Sequence, residues 1–350
     1  MKKYFVSIML LVAWSLTAVA QQQLPQRPNL GNARIVVLAN NLENFYYNYD
    51  ESSRPDYDTD AGRAAKTAKI VQMMINSGAD IFAFCEVEAK PITLEYLVQE
   101  LNTAAGGNDY AAVSDGINVQ TDNYDNAIKS GFVYRKATVQ PYGSNYAATG
   151  VAYYKNTMRI QAWEELATGE RFTLSMNHFK AMSDDASKQK RIDNATWLLS
   201  GLSNTNKVKD PDILIMGDLN AQMAEEAMQM IVEDGYEEQL LRYDPNAYSY
   251  IYKSTHELID HAFANSTMAE QITGAVVWHT NTSASNSNRY SDHDAVLVGL
   301  RLGEDEPIDP SGLDQTTVSV PCRKEIRHGQ IVIIRGDAVY TVTGQKVVGR

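Results

Sequence analysis

The chain has 350 residues, a formal net charge of −12 and two cysteines, Cys85 and Cys322. That length supports one large folded domain or two smaller ones. The acidity excludes a broad basic face for non-specific nucleic-acid binding, though not a small basic patch at a site, and two cysteines exclude a disulfide framework.

Lys2 and Lys3, the apolar stretch 6–12 and Ala18-Val-Ala20 read as a secretory signal cleaved near Ala20. The apolar stretch is short for a membrane helix, and no later segment approaches bilayer-spanning length. The expected product is an exported protein (periplasmic, cell-surface or extracellular) with no transmembrane segment. Strand-like runs fall at 34–40, 80–85, 131–139, 172–177, 212–216, 249–252, 261–264 and 295–300. Several alternate in polarity: Phe172, Leu174 and Met176 face one way, Thr173, Ser175 and Asn177 the other. Cys85 lies inside an apolar run and reads as a buried, reduced space-filler. Helical spacing occupies 61–75, 91–101, 187–202 and 224–232. Strands and helices interleave without regular alternation, which suits helices covering the outer faces of two packed sheets better than one parallel sheet. A folded region at 33–302 is expected, then a linker at 303–315 and a small β appendage at 316–350, with strands at 316–320, 330–334 and 338–342.

Six polar segments follow apolar runs, where buried strands would emerge from a sheet. They are Asn41-Leu-Glu-Asn-Phe45, Cys85-Glu-Val-Glu88, Asn177-His-Phe-Lys180, Gly217-Asp-Leu-Asn-Ala221, Leu258-Ile-Asp-His261 and Ser291-Asp-His-Asp294. Four carry polar pairs two residues apart: Asn41 with Glu43, Glu86 with Glu88, His178 with Lys180, Asp218 with Asn220. In extended chain such pairs share a face, so each would aim two groups at one cleft. Carboxylates suited to a hard divalent cation, beside histidines able to contact phosphate, point to metal-assisted phosphodiester hydrolysis.

In order and spacing, Gly217-Asp-Leu-Asn220, the upstream Glu86 and Ser291-Asp-His293 after Asp260 resemble the endonuclease/exonuclease/phosphatase superfamily, with its deoxyribonuclease I-like fold. The resemblance spans roughly 33–302 and implies an α/β four-layer αββα sandwich with its site at one edge of the two sheets. It implies Glu86 as the principal metal ligand, Asn41 and Asp292 near the metal, and Glu43 in support. Asp218 would orient or deprotonate the attacking water and Asn220 would fix it. His293, held by Asp260, would contact the scissile phosphate. His178 would bond the phosphate or protonate the leaving oxygen, with Asp122 or Asp125 supporting it. Arg159 and Lys180 are candidate phosphate contacts, and Mg²⁺ is the expected cofactor, with Mn²⁺ or Ca²⁺ as alternatives.

The resulting expectation is an exported Mg²⁺-dependent phosphodiesterase acting on DNA or RNA, monomeric and without a stable protein partner. A phosphomonoesterase or a sphingomyelinase/inositol-phosphate phosphatase of the same fold is the alternative. A catalytically idle surface-binding module is a further one, and intact Glu86, Asp218, Asp260 and His293 argue against it. The tyrosines at 46, 47 and 49 either stack on bases or pack their loop, and Glu88 either faces substrate or is solvated. His261, directly after Asp260, is expected to point away from it. The tail around 329–344 resembles C-terminal sorting segments of the type IX secretion kind.

Overall fold

Alternation along single strands builds the layers. In β1 (Ile35–Phe45), Ile35, Val37 and Ala39 enter a core between two sheets, while Val36 and Leu38 pack on the opposite face. That outer face is covered by α1 (Asp60–Ser77) and α2 (Pro91–Ala105), through Ile70, Met74, Leu94 and Leu97. The computed structural model describes residues 24–49, 57–119, 127–282 and 288–303, and the backbone of 322–327, 330–335 and 338–341. The leader, Asp122, Asp125, most of the expected linker and the strand expected at 316–320 lie outside the described residues.

Six strands form the first sheet: β1, β2 (Ile81–Glu88), β3 (Tyr110–Ala112), β4 (Ile128–Arg135), β13 (Ile272–Trp278) and β14 (Ala295–Leu300). Their order is β13-β14-β1-β2-β4-β3, antiparallel except for the parallel pair β1/β2. The second sheet has the order β5-β6-β7-β8-β12-β9. Its strands are β5 (Val139–Ala147), β6 (Met158–Glu165), β7 (Arg171–His178), β8 (Ile213–Asp218), β9 (Glu237–Glu238) and β12 (Asp260–Ala264), antiparallel except for β7/β8. Leu214 and Met216 of β8 join the inter-sheet core. Ile213 and Ile215 pack outward with Ala195 and Leu198 of α4 (Asp185–Leu202) and Met228 and Ile231 of α5 (Glu226–Glu233). The result is the expected α/β sandwich of two mainly antiparallel sheets. Each fully buried aliphatic contributes about 1.5–3 kcal/mol.

Short elements complete the fold: α3 (Tyr154–Thr157), α6 (Gln239–Tyr243), α7 (Ser266–Glu270) and a separate hairpin of β10 (Tyr250–Tyr252) and β11 (Thr255–Glu257). The strand expected at 131–139 is two: β4 ends at Arg135, a turn closed by Thr138 N–H to Arg135 O intervenes, and β5 starts in the other sheet. At the start of β1, Arg34 grips Glu165 of β6 through two bonds of 2.9 and 3.0 Å, tying the sheets opposite the polar strand ends. The chain divides after Gly303. Beyond it, β15 (Cys322–Arg327), β16 (Gln330–Arg335) and β17 (Ala338–Thr341) make an antiparallel three-stranded sheet, β15 standing where no strand was expected.

Candidate active site

Register places the first three polar groups. His178, the last residue of β7, pairs with Asp218, the last of β8, and Asp218 pairs with Asp260, the first of β12. Residues opposite one another on neighbouring strands project from the same face, so the three side chains emerge in a row. The approach of β7 to β8 depends on Gly217, with φ 131°, where a Cβ would lie 2.0 Å from the Asn177 carbonyl oxygen. Asp218 Oδ1 then accepts from the Asn220 N–H at 2.9 Å, turning the chain so that Asn220 Nδ2 donates to Phe179 O at 3.3 Å.

The first sheet supplies the facing groups. Asn41 Nδ2 donates to Glu86 Oε1 and to Asp218 Oδ2, both at 3.0 Å, and so bridges the two sheets. Its Oδ1 accepts the Glu43 N–H at 2.8 Å, which presents the amide NH₂ to the carboxylates. Glu86 has φ 53° and breaks the β2 register, and Asn44 N–H donates to its Oε2 at 3.0 Å. His178 Nε2 lies 3.6 Å from Glu86 Oε1 and 3.7 Å from Asp218 Oδ2, while its buried Nδ1 has no hydrogen-bond partner among the described residues.

His293 approaches from the other side of Asp218. Its Nδ1 donates to Asp260 Oδ2 at 2.7 Å, and its Nε2 sits 3.7 Å from Asp218 Oδ2 and 3.9 Å from Asp292 Oδ1. Burial opposes charging this imidazole, yet the Asp260 and Asp218 carboxylates outweigh it and hold the ring well above the usual histidine range. Asp292 is pushed up by burial, with the charges of Glu86 and Asp218 adding to that and His293 opposing it. Behind the group, burial and the same carboxylates raise the Cys85 thiol, which lies in the inter-sheet core as expected.

Supporting residues to which the sequence reading gave no role fix this arrangement. Ser291 Oγ donates to Asn41 O at 2.6 Å and accepts the His293 N–H at 3.1 Å. Ser249 Oγ accepts the Asp260 N–H at 3.0 Å, and Ser249 O accepts the Asp294 N–H at 2.8 Å. The Asp294 carboxylate takes the N–H groups of Asn281 and Thr282 and the Nδ1 of His279. Arg191 of α4 donates to Glu225 and to the carbonyls of Lys180 and Met182, pinning the chain that leaves His178. The serine two residues before His293 and the lone arginine among polar helix residues were the available signals.

Some open readings are decided by the structure and others are corrected. Glu88 faces neither substrate nor solvent: it is 3% exposed and accepts from the Tyr47 and Asn48 N–H groups and the Thr93 hydroxyl. The tyrosine-rich loop packs on itself, with the Arg63 guanidinium over the rings of Tyr47, Tyr49 and Tyr96. Arg159 is not brought to the group. It is buried, bonded to Asn145 Oδ1 at 2.7 Å and Lys155 O at 2.8 Å, and lines a different cavity beside Asp115. Lys180 is half-buried and is not among the residues lining the cleft. Glu43, expected only in support, is held by Asn41 through its N–H and by Lys66 Nζ through its carbonyl and is not among the residues lining the cleft. His261 does point away, to Ala221 O at 2.8 Å.

The cleft encloses about 450 Å³ around Glu86, His178, Asp218, Asn220, Asp292 and His293. Ligand atoms of Glu86, His178 and Asp218 lie within 4.8 Å of one another. An oxygen-dominated donor set with excess negative charge fits a hard divalent cation.

No match is found among curated proteins. Solved structures with similar folds include an endonuclease/exonuclease/phosphatase from Bacteroides vulgatus, with 14% identity, TM-score 0.55, and coverage of 77% of this chain and 99% of that one. A mannosyl-6-phosphatase from Bacteroides thetaiotaomicron gives 16% identity, TM-score 0.53, and coverage of 77% and 100%. The human nocturnin catalytic domain with bound sulfate gives 14% identity, TM-score 0.55, and coverage of 79% and 96%. The family model described as "Endonuclease/Exonuclease/phosphatase family" matches residues 41–293, so the chain belongs to that family.

Proposed function

We propose that this protein is an exported, divalent-metal-dependent phosphoester hydrolase. The observation that carries the reading is the convergence of Glu86, His178 and Asp218 beside the buried His293–Asp260 couple. Glu86 and Asp218, with Asp292 at the cleft wall, would hold the cation, Mg²⁺ by the hardness of its ligands. When bound it neutralises charge developing on the phosphate. Asp218, 1% exposed and midway between the imidazoles, orients and deprotonates the attacking water, and Asn220 fixes that water's position. His293, its Nδ1 held by Asp260, presents Nε2 to a phosphate oxygen and donates to it when protonated. His178 supplies a second donor, or the proton that the leaving oxygen takes up.

Two features favour a small phosphoester over DNA or RNA as substrate. Among the described residues lining the cleft, the cationic side chain other than histidine is Arg191, and its guanidinium is committed to Glu225 and two carbonyls. Of the two readings of the tyrosine-rich loop, packing is the one its contacts support, Tyr47 lying against Tyr96 and Tyr49 against Tyr57. Export rests on the leader alone.

The test is the mature full chain assayed with Mg²⁺ or with EDTA. The substrates are p-nitrophenyl phosphate, bis-p-nitrophenyl phosphate, sugar and inositol phosphates, sphingomyelin, DNA and RNA. Hydrolysis of at least one ester is expected, abolished by EDTA and reduced about 10²–10⁴-fold by Asp218→Asn. Full activity in EDTA, or an unimpaired Asp218→Asn chain, would sink the reading.

A further inference from the structure

Beside the phosphate position stands the β10–β11 hairpin, which none of the chemistry above uses. Register puts Tyr250 opposite Glu257 and Tyr252 opposite Thr255, and Tyr250 and Tyr252 are two residues apart on one strand, so Tyr250, Tyr252 and Glu257 share a face. All three line the cleft. The Tyr250 ring lies 4.8 Å from the His293 ring, tilted by 34°, and Tyr252 is 50% exposed.

The hairpin is held in this pose at some cost. Its two turn residues, Lys253 and Ser254, have φ of 46° and 67°, where asparagine or glycine is the unstrained choice. The base is clamped: the Tyr248 ring stacks between His256 at 3.9 Å and His279 at 4.2 Å, and His279 is bonded to Asp294. Ser249 fastens the same base to Asp260 and Asp294. Those two neighbours carry the His293–Asp260 couple, so the aromatic face is fixed relative to the groups that would act on phosphate. Backbone strain retained by surrounding structure marks a segment whose position matters.

Resting on the phosphoester-hydrolase reading, we propose that this hairpin forms a leaving-group subsite for a polyhydroxylated ring, that is, for a cyclic sugar phosphate. A pyranose presents C–H groups on its faces and hydroxyls around its edge. The Tyr252 ring, half exposed and with the Lys253 ammonium 5.0 Å from its centroid, offers a stacking surface, and the Glu257 carboxylate, the Tyr250 hydroxyl and the Gln222 amide offer edge partners in the same cleft. A cavity of about 450 Å³ suits one ring and its phosphate. A polynucleotide would stack on tyrosine as well. It also brings a phosphate with every nucleotide, and beyond the single Lys253 ammonium over Tyr252 the cleft-lining residues described offer those further charges no uncommitted arginine or lysine.

The experiment compares kcat/KM of the full chain for glucose 6-phosphate and for glycerol phosphate, an acyclic ester with the same kind of leaving oxygen. Tyr252→Ala is expected to lower the ratio of the two by roughly tenfold, acting through KM for the sugar. Glu257→Gln is expected to move the ratio in the same direction. Calorimetric binding of glucose 6-phosphate in the turnover-deficient Asp218→Asn background provides a readout independent of hydrolysis. A wild-type chain that cleaves esters with a ratio indifferent to Tyr252 overturns the subsite and leaves the hydrolase standing. Binding in the Asp218→Asn background that weakens with Tyr252→Ala, in a protein that cleaves no ester, retains the subsite and overturns the hydrolase. Tyr252-dependent turnover of oligonucleotides alone identifies a base-binding wall and overturns the sugar assignment.

Discussion

Arg191→Met tests how far the site depends on a residue that touches no substrate. The guanidinium, 2% exposed, makes two bonds to Glu225 Oε2, of 3.0 and 2.6 Å, and one each to Lys180 O and Met182 O. Methionine retains most of the apolar stem, so the loss falls on the polar contacts. Each charge-assisted bond to a carbonyl is worth about 1.5–3 kcal/mol, and Glu225, 29% exposed, regains part of its hydration. The net cost is about 3–5 kcal/mol, the usual range for breaking a buried pair from one side. At roughly 2–4 °C per kcal/mol, Tm should fall by on the order of 6–20 °C in a thermal melt. Below the new Tm, freeing residues 180–182 should loosen the end of β7 that carries His178, lowering kcat for every ester tested. Arg191→Lys should recover part of both losses, since an ammonium can still reach one carbonyl. A variant melting within about 1 °C of wild type, about 0.5 kcal/mol at most, would show that these four bonds contribute nothing net, and the reasoning would fail.

Asp260→Asn and His293→Ala should each cost about 10²–10⁴-fold in activity, and the double variant should be no worse than the poorer single, because the pair acts as one unit; additive losses would refute the coupling. Gly217→Ala should be poorly folded, since its Cβ would sit 2.0 Å from a backbone oxygen, and a wild-type melt would contradict the packing of β7 on β8.

What the sequence revealed followed from period, and what it concealed followed from local breaks in period. Strands β1, β7, β8 and β14 announced themselves because each presents apolar residues to at least one buried face, and the helices because their stripes match the outer faces of the sheets. The two-residue spacing of polar pairs was read on the assumption of extended chain. It fails where the backbone turns left-handed: Glu43, Asn44 and Glu86 all have φ near 50°. Glu86 therefore points at the site while Glu88 is carried away from it, into the loop contacts of Tyr47 and Asn48. Asp218 and Asn220 both line the cleft, the second with φ 51°, through an Asp-anchored turn and not an extended strand. Arg159 could not be assigned from one strand, because its place depends on Asn145 of the neighbouring strand. The cleft's aromatic wall was equally hidden, since a short tyrosine-containing strand looks the same whether it packs a core or overhangs a site.

The bond from Asn41 to Asp218 joins positions 177 residues apart and lies on the seam between the sheets. Neither sheet alone contains the constellation, so it exists as a unit after the two faces have docked. Contacts this distant in sequence carry a large loop-closure cost, which the docking of the two sheets must meet before the constellation is assembled. A cation shared by Glu86 of one sheet and Asp218 of the other would then act as a rivet across that seam. At a hundredfold excess over its dissociation constant, such a ligand stabilises the docked form by about 2.7 kcal/mol. Resistance to unfolding would thus follow the divalent-ion content of the surroundings.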